Sequence, residues 1–129
     1  MKPTRTFREL IVWQRAHEFV LKTYSFTAKF PREELYGLTS QFRRAAISIT
    51  ANIAEGYGKR GTRDKRRYLN ISQGSLEECR YFIILARDLK FNDDSQIGTL
   101  IEEVSKLLNA YARAFDRDKK GNENKEVEN

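Results

Sequence analysis

Six cations crowd together in one short stretch of this chain: Lys59, Arg60, Arg63, Lys65, Arg66 and Arg67, opposed there only by Asp64. With a helix starting near Arg63, Arg63, Arg66 and Arg67 share a face with Asn70, while Lys59 and Arg60 sit on the preceding loop. Arginine forks match phosphate oxygens two at a time, and a helix N-terminus adds backbone donors and the positive end of its dipole. Contacts of this kind go mainly to phosphate, so binding is salt-dependent and weakly selective for sequence. Tyr57 and Tyr68 flank the cluster and offer rings on which unpaired bases can stack. RNA or DNA is therefore the expected partner. A solvated basic face that only keeps the protein soluble is the competing explanation. Arg43 and Arg44 are the next candidates for the same nucleic-acid surface. Adjacent helical residues point about 100° apart, so the two are not expected to serve one purpose. At least one of them is expected in an intersubunit salt bridge with Glu77, Glu78, Glu102 or Glu103.

The remaining reactive residue types form no catalytic set. His17 is the sole histidine, in line with Trp13 and Val20, and a partly buried ring satisfied by one hydrogen bond is expected there. No metal-ligand partners stand at suitable spacing, and no metal or cofactor is expected. Cys79 falls between Leu76 and Phe82 on an apolar stripe and reads as a small buried hydrophobe. Asn52, Glu55 and Gly56 read as structural: Asn52 is expected to bond a neighbouring helix or turn, Glu55 to pair with arginines of the next helix, Gly56 to mark a helix end. Gly56-x-Gly58-x-x-Gly61 has the letters of a dinucleotide fingerprint, but it follows a helix rather than a strand. An enzyme is not expected.

Four helices must position these residues. The first is predicted over residues 7–29, with Leu10, Trp13, His17, Val20, Tyr24 and Thr27 on one stripe. Val12, Ala16, Phe19, Phe26 and Phe30 form a second stripe on the same helix, which predicts burial on two sides and hence a subunit interface. Phe30-Pro31 ends it, because proline disfavours helical geometry in the residue before it. The second helix runs from about residue 34 or 36 to 55 along Leu38, Phe42, Ala45, Ala46, Ile49 and Ile53, with Gly37 predicting a loose first turn. Gly56, Gly58 and Gly61 bracket its end. Thr62 is the predicted N-cap of a third helix over 63–90. Its stripe runs through Tyr68, Ser72, Ser75, Leu76, Cys79, Phe82, Ile83, Ala86 and Leu89. Ser72, Gly74 and Ser75, all small and in mid-helix, predict the close approach of a neighbouring helix or ligand backbone. The fourth follows Ser95 on a heptad-like pattern from Ile97 through Val104 to Phe115. No strand pattern or repeat is present, so an all-α, antiparallel up-down four-helix bundle is expected.

Composition agrees with one globular domain. The chain has 129 residues, 40% hydrophobic and 33% charged, with one cysteine and therefore no internal disulfide. No apolar run approaches the roughly 20 residues that span a bilayer. No signal peptide is evident at the N-terminus, and a cytoplasmic setting is expected. Net charge is +6 but uneven: residues 1–70 hold 15 Lys and Arg against 6 Asp and Glu, residues 71–129 hold 9 against 12. The expected division is an N-terminal extension at 1–6, the bundle at 7–115 and a charged, disordered tail at 116–129.

Three motifs carry a resemblance: Phe7-Arg8-Glu9-Leu10-Ile11-Val12-Trp13-Gln14, Tyr36-Gly37-Leu38-Thr39-Ser40-Gln41-Phe42-Arg43-Arg44-Ala45-Ala46 and Ser48-Ile49-Thr50-Ala51-Asn52-Ile53-Ala54-Glu55-Gly56, with Gly74-Ser75-Leu76-Glu77-Glu78 behind them. Over about residues 7–115 the chain resembles the bacterial four-helix-bundle proteins first noticed as reading frames inside 23S ribosomal RNA intervening sequences. It departs at Thr50, where that family often has proline. The resemblance implies a ring-like homopentamer. The family is similar in fold to the accessory protein of diversity-generating retroelements, a basic barrel that works with a reverse transcriptase and nucleic acid. What is expected is therefore a non-enzymatic oligomer binding RNA or DNA, accessory to a nucleic-acid enzyme. The alternative is a structural or protein-interaction ring with no nucleic-acid role.

Overall fold

The computed structural model describes the backbone of residues 4–128 and the side chains of residues 4–116. Beyond its first residue, the tail expected over 116–129 lies outside the described side chains. Four helices, α1 Ile11–Thr27, α2 Leu38–Gly58, α3 Thr62–Asp88 and α4 Ser95–Glu128, make an all-α bundle with no strand among the described residues. Among the described residues no helix is long and apolar enough to cross a membrane. Helices adjacent in sequence pack together, and α1 closes on α4.

The first predicted helix is two pieces. A 3-10 turn at Phe7–Glu9 is capped by Thr6, and Leu10 is extended before α1 begins. On α1 the stripe carrying Val12, Ala16, Phe19 and Phe26 faces the core. The other is only partly covered, with Thr27 buried, Trp13 and Val20 half-buried, and His17 and Tyr24 exposed.

Phe42 of α2 lies at the centre of the core, its ring 6.4 Å from Phe19, 6.0 Å from Phe26 and 5.6 Å from Phe82. The first turn of α2 is held rather than loose. The Glu34 carboxylate accepts from the Leu38 amide at 2.9 Å, and a Cβ on Gly37 would come within 2.9 Å of that carboxylate. Glycine is what lets Glu34 reach the helix end.

Along α3 the buried face is Leu69, Ser72, Ser75, Leu76, Cys79, Phe82 and Ala86. Leu69 thus takes the place expected for Tyr68, and Leu89 is exposed. Of the three small residues expected at a close approach, Gly74 takes no part in it: a Cβ there would meet nothing within 4 Å among the described residues. The approach is made at Ser72 and Ser75. Ser72 Oγ donates to the Ile49 carbonyl at 2.7 Å, and Ser75 Oγ donates to Ser48 Oγ at 2.7 Å. Small hydroxyls bring α2 and α3 together while satisfying polar atoms that burial would otherwise orphan.

After α3 the chain turns through Lys90, whose φ of 62° is left-handed, and the Phe91 amide closes on the Ala86 carbonyl at 2.9 Å. Asp94 then accepts from the Gln96 amide at 2.8 Å at the start of α4 and meets Lys22 of α1 at 2.9 Å. These contacts fix where α4 lies against both α3 and α1.

Candidate nucleic-acid interface

The turn between α2 and α3 is only three residues long, at 59–61, and it carries Lys59 and Arg60. Gly61 occupies the N-cap of α3 with no side-chain cap, and Thr62, expected to cap, is the first helical residue. Helix α3 then begins inside the basic cluster. Gly56, buried near the end of α2, permits the tight join: a Cβ there would stand 3.2 Å from Tyr68 Cβ and 3.4 Å from the Lys65 carbonyl.

The six clustered cations do not form one uniform surface. Lys65 turns inward and donates from Nζ to the carbonyls of Tyr57 at 2.8 Å and Gly56 at 3.2 Å. A cation at a helix C-terminus meets both the free carbonyls and the negative dipole end. Lys65 is thereby committed to holding the turn. Lys59 and Arg67 lie against the Tyr68 ring, 5.1 Å and 5.4 Å from its centroid. Tyr57 is similarly occupied, its hydroxyl donating to the Thr4 carbonyl at 2.9 Å and its ring near Lys65 Nζ. The two tyrosines expected as stacking platforms are thus already engaged within the chain. Arg60 is exposed on the turn.

Arg63, Arg66 and Arg67 converge. With Asn70 and Gln73 of α3, and Ala112 and Asp116 of α4, they line a groove of about 310 Å³. Helical spacing puts these α3 residues on one side, and the small Ala112 side chain leaves room in the floor. Arg66 Nε is shielded from solvent and meets no acceptor among the described residues. Arg63, Arg66, Arg67 and Asn70 are the face expected from the sequence; Gln73, Ala112 and Asp116 are additions to it. Gln73 extends that same face by one more turn and was within reach of helical periodicity. Ala112 and Asp116 were not, since only packing brings α4 to them.

Arg43 lies away from this groove. Its Nε donates to Thr27 Oγ1 at 2.9 Å and its guanidinium covers the Tyr24 ring at 4.4 Å, near the end of α1. Arg44 is exposed beside Gln41, Ser48, Ser75 and Glu78 in a separate shallow pocket. Within the chain, three of the four acids proposed as their partners are otherwise employed, while Glu78 lines the Arg44 pocket without an ion pair among the described residues. Arg80 bridges Glu77 and Glu102, and Arg15 meets Glu103 at 3.0 Å. Exposed pairs of this kind hold geometry more than they stabilise.

Asn52 bonds one turn back within α2, donating to the Ser48 carbonyl at 2.8 Å and to Ser48 Oγ at 3.0 Å, so it reaches α3 only through the Ser48–Ser75 contact. Glu55 is exposed and pairs with no arginine among the described residues. Cys79 is buried, and desolvation pushes its thiol well above the ordinary range, with Glu78 adding to the shift. His17 is exposed rather than partly buried. It stacks on Trp13, with centroids 5.1 Å apart, in an apolar groove of about 350 Å³ with Phe7, Val20, Ile47 and Ala51. Glu55 is not part of that groove, so the sole histidine and this carboxylate share no cavity. Among the described residues no His, Cys, Asp and Glu cluster could hold a metal ion.

Comparison with known proteins gives two positive results. A family model described as 23S rRNA-intervening sequence protein matches residues 8–112. The chain is also similar to the crystal structure of a protein of unknown function from the S23 ribosomal protein family of Bacteroides thetaiotaomicron. That likeness has a TM-score of 0.68 at 24% identity and covers 80% of this chain and 96% of the other, which establishes a shared fold. Among curated proteins no sequence matches.

Proposed function

Because the chain belongs to the 23S rRNA-intervening sequence protein family, we propose that it is a non-enzymatic, oligomeric helical bundle that binds RNA or DNA through its basic corner, as an accessory to a nucleic-acid enzyme such as a reverse transcriptase. The observation that carries this reading is the convergence of Arg63, Arg66 and Arg67 on one groove. Three guanidiniums brought together beside the Lys59–Arg60 turn, with the single Asp116 carboxylate in the same groove, leave an excess of positive charge that a further anion offsets. A polyanion supplies several phosphates along one surface.

The proposed assembly is a ring-like homopentamer of antiparallel up-down bundles in the cytoplasm. Short turns and the sequential packing of neighbouring helices support the up-down arrangement. The apolar groove along α1 and α2 supports self-association. A ring multiplies each basic corner, so contacts that are weak singly sum to useful avidity.

Titration with single- and double-stranded nucleic acid at several salt concentrations tests the proposal. Affinity is expected to fall steeply with salt, and to fall further when Arg60, Arg63, Arg66 and Arg67 become glutamine. Absence of binding at low salt, or binding indifferent to those four substitutions, rejects it. The uneven charge of the two halves of the chain favours a second reading, a protein-interaction ring with no nucleic-acid role whose charges mediate assembly. In that case charge reversal in the basic cluster breaks the oligomer, whereas in the first it leaves the oligomer intact. Light scattering on the charge-reversed variants separates the two.

A further inference from the structure

The groove between α3 and α4 is chemically graded along its length. Arg63, Arg66 and Arg67 stand at the N-terminal end of α3, and Asn70 and Gln73 follow one and two turns later. From Arg63 to Gln73 the helix rises about 15 Å. Gln73 Nε2 donates to Asn109 Oδ1 of α4 at 3.0 Å, which fixes the orientation of its amide. Asp116 completes the lining from α4. A phosphodiester backbone has a use for the arginines and none for the rest: a carboxylate repels phosphate, and amides that both donate and accept are unnecessary for an acceptor-only ligand. A base edge presents both donors and acceptors, which suits Asn, Gln and Asp together. The volume of about 310 Å³ lies at the small end for ligand sites, which begin near about 300 Å³. Arg66 Nε, shielded and lacking an acceptor among the described residues, gains one from a phosphate oxygen in the groove.

We infer that this groove seats a single unpaired nucleotide, with its phosphate at Arg63, Arg66 and Arg67 and its base edge toward Asn70, Gln73 and Asp116. The inference rests on the nucleic-acid reading above and narrows it to unpaired strands. A base in a duplex has its pairing edge occupied and cannot present it to the amides.

Fluorescence anisotropy at one fixed low salt concentration tests it with three probes: an unpaired 12-mer of RNA or DNA, a blunt duplex of that sequence, and an abasic sugar-phosphate 12-mer. The unpaired strand is expected to bind about tenfold more tightly than the abasic one, the ratio expected of one good base-edge contact. In the double variant Asn70→Ala, Gln73→Ala that ratio is expected to shrink toward one. Ala112→Leu, which fills the floor without altering any charge, is expected to reduce the ratio as well, and the amide variant decides the matter if this one misfolds. Equal affinity for all three probes, or a ratio unchanged in the amide variant, overturns the inference while leaving nucleic-acid binding in place. Failure of every probe to bind removes the nucleic-acid reading along with it.

Discussion

Lys65 and Arg66 are neighbours in sequence, carry the same charge, and do different work. Lys65 donates to two carbonyls at the end of α2, whereas Arg66 lines the groove with an Nε that meets no acceptor among the described residues. Removing the first should cost stability, removing the second affinity. Lys65→Gln is expected to lower unfolding free energy by about 1 kcal/mol, typical of a lost hydrogen bond, with little change in salt-corrected nucleic-acid affinity. Arg66→Gln is expected to do the reverse. Denaturant unfolding and an oligonucleotide titration on both variants check this, and matching profiles would show that position within the cluster is immaterial. In the sequence the two residues are indistinguishable, since both fall in one basic run and only the partners each meets in the folded chain separate them.

Helices α1 and α4 are joined near their ends by Lys22 and Asp94. The hydrogen bond from Lys22, then that from the Gln96 amide, holds the Asp94 carboxyl below its ordinary range. A carboxyl that is more acidic folded than unfolded stabilises the fold above its unfolded pKa of about 3.9, and the benefit disappears as pH falls through the folded value. Lys22→Met is therefore expected to lower stability at neutral pH and to flatten the loss of stability below about pH 4. The pair is partly solvent-exposed, so the effect should be small and should shrink in high salt. Thermal unfolding between pH 2 and 7, at low and high salt, measures it. An acid limb as steep in the variant as in the parent would assign the sensitivity to other carboxylates. Between α2 and α3 the joining is of a different kind. Ser72, Ser75 and Ser48 supply close contact with internal hydrogen bonds, where α1 meets α2 through aromatic rings.

At the scale of the whole molecule, two faces have different chemistry. The α3–α4 groove is basic and polar, and the α1–α2 groove holding Trp13, His17 and Val20 is apolar. If the apolar face joins copies of the chain and the basic one binds nucleic acid, each should fail separately. Val20→Asp is expected to lower the mass seen by light scattering without unfolding the chain. It is also expected to weaken binding to long oligonucleotides much more than to short ones, because avidity disappears while each corner remains. A parent protein that is a single chain at high concentration, or a variant with unchanged mass, would rule out this face as the interface. The charge imbalance between the two halves of the sequence anticipated a basic pole but not the depression between α3 and α4 that concentrates it.

Apolar periodicity determined the four helices, and the motifs from Phe7 to Glu78 determined the family, because helical spacing and short signatures are local and survive without knowledge of packing. The sequence also placed Arg63, Arg66, Arg67 and Asn70 on one face of a helix, since residues three and four apart share a side. What only the tertiary structure decided was which charges are spent inside the chain. Lys65 went to the end of α2, Arg43 to α1 and Arg80 to α4, while Arg66 kept a buried donor without an acceptor among the described residues. Those outcomes depend on contacts between helices distant in sequence, where the partner for a charge is set by geometry that no local pattern records.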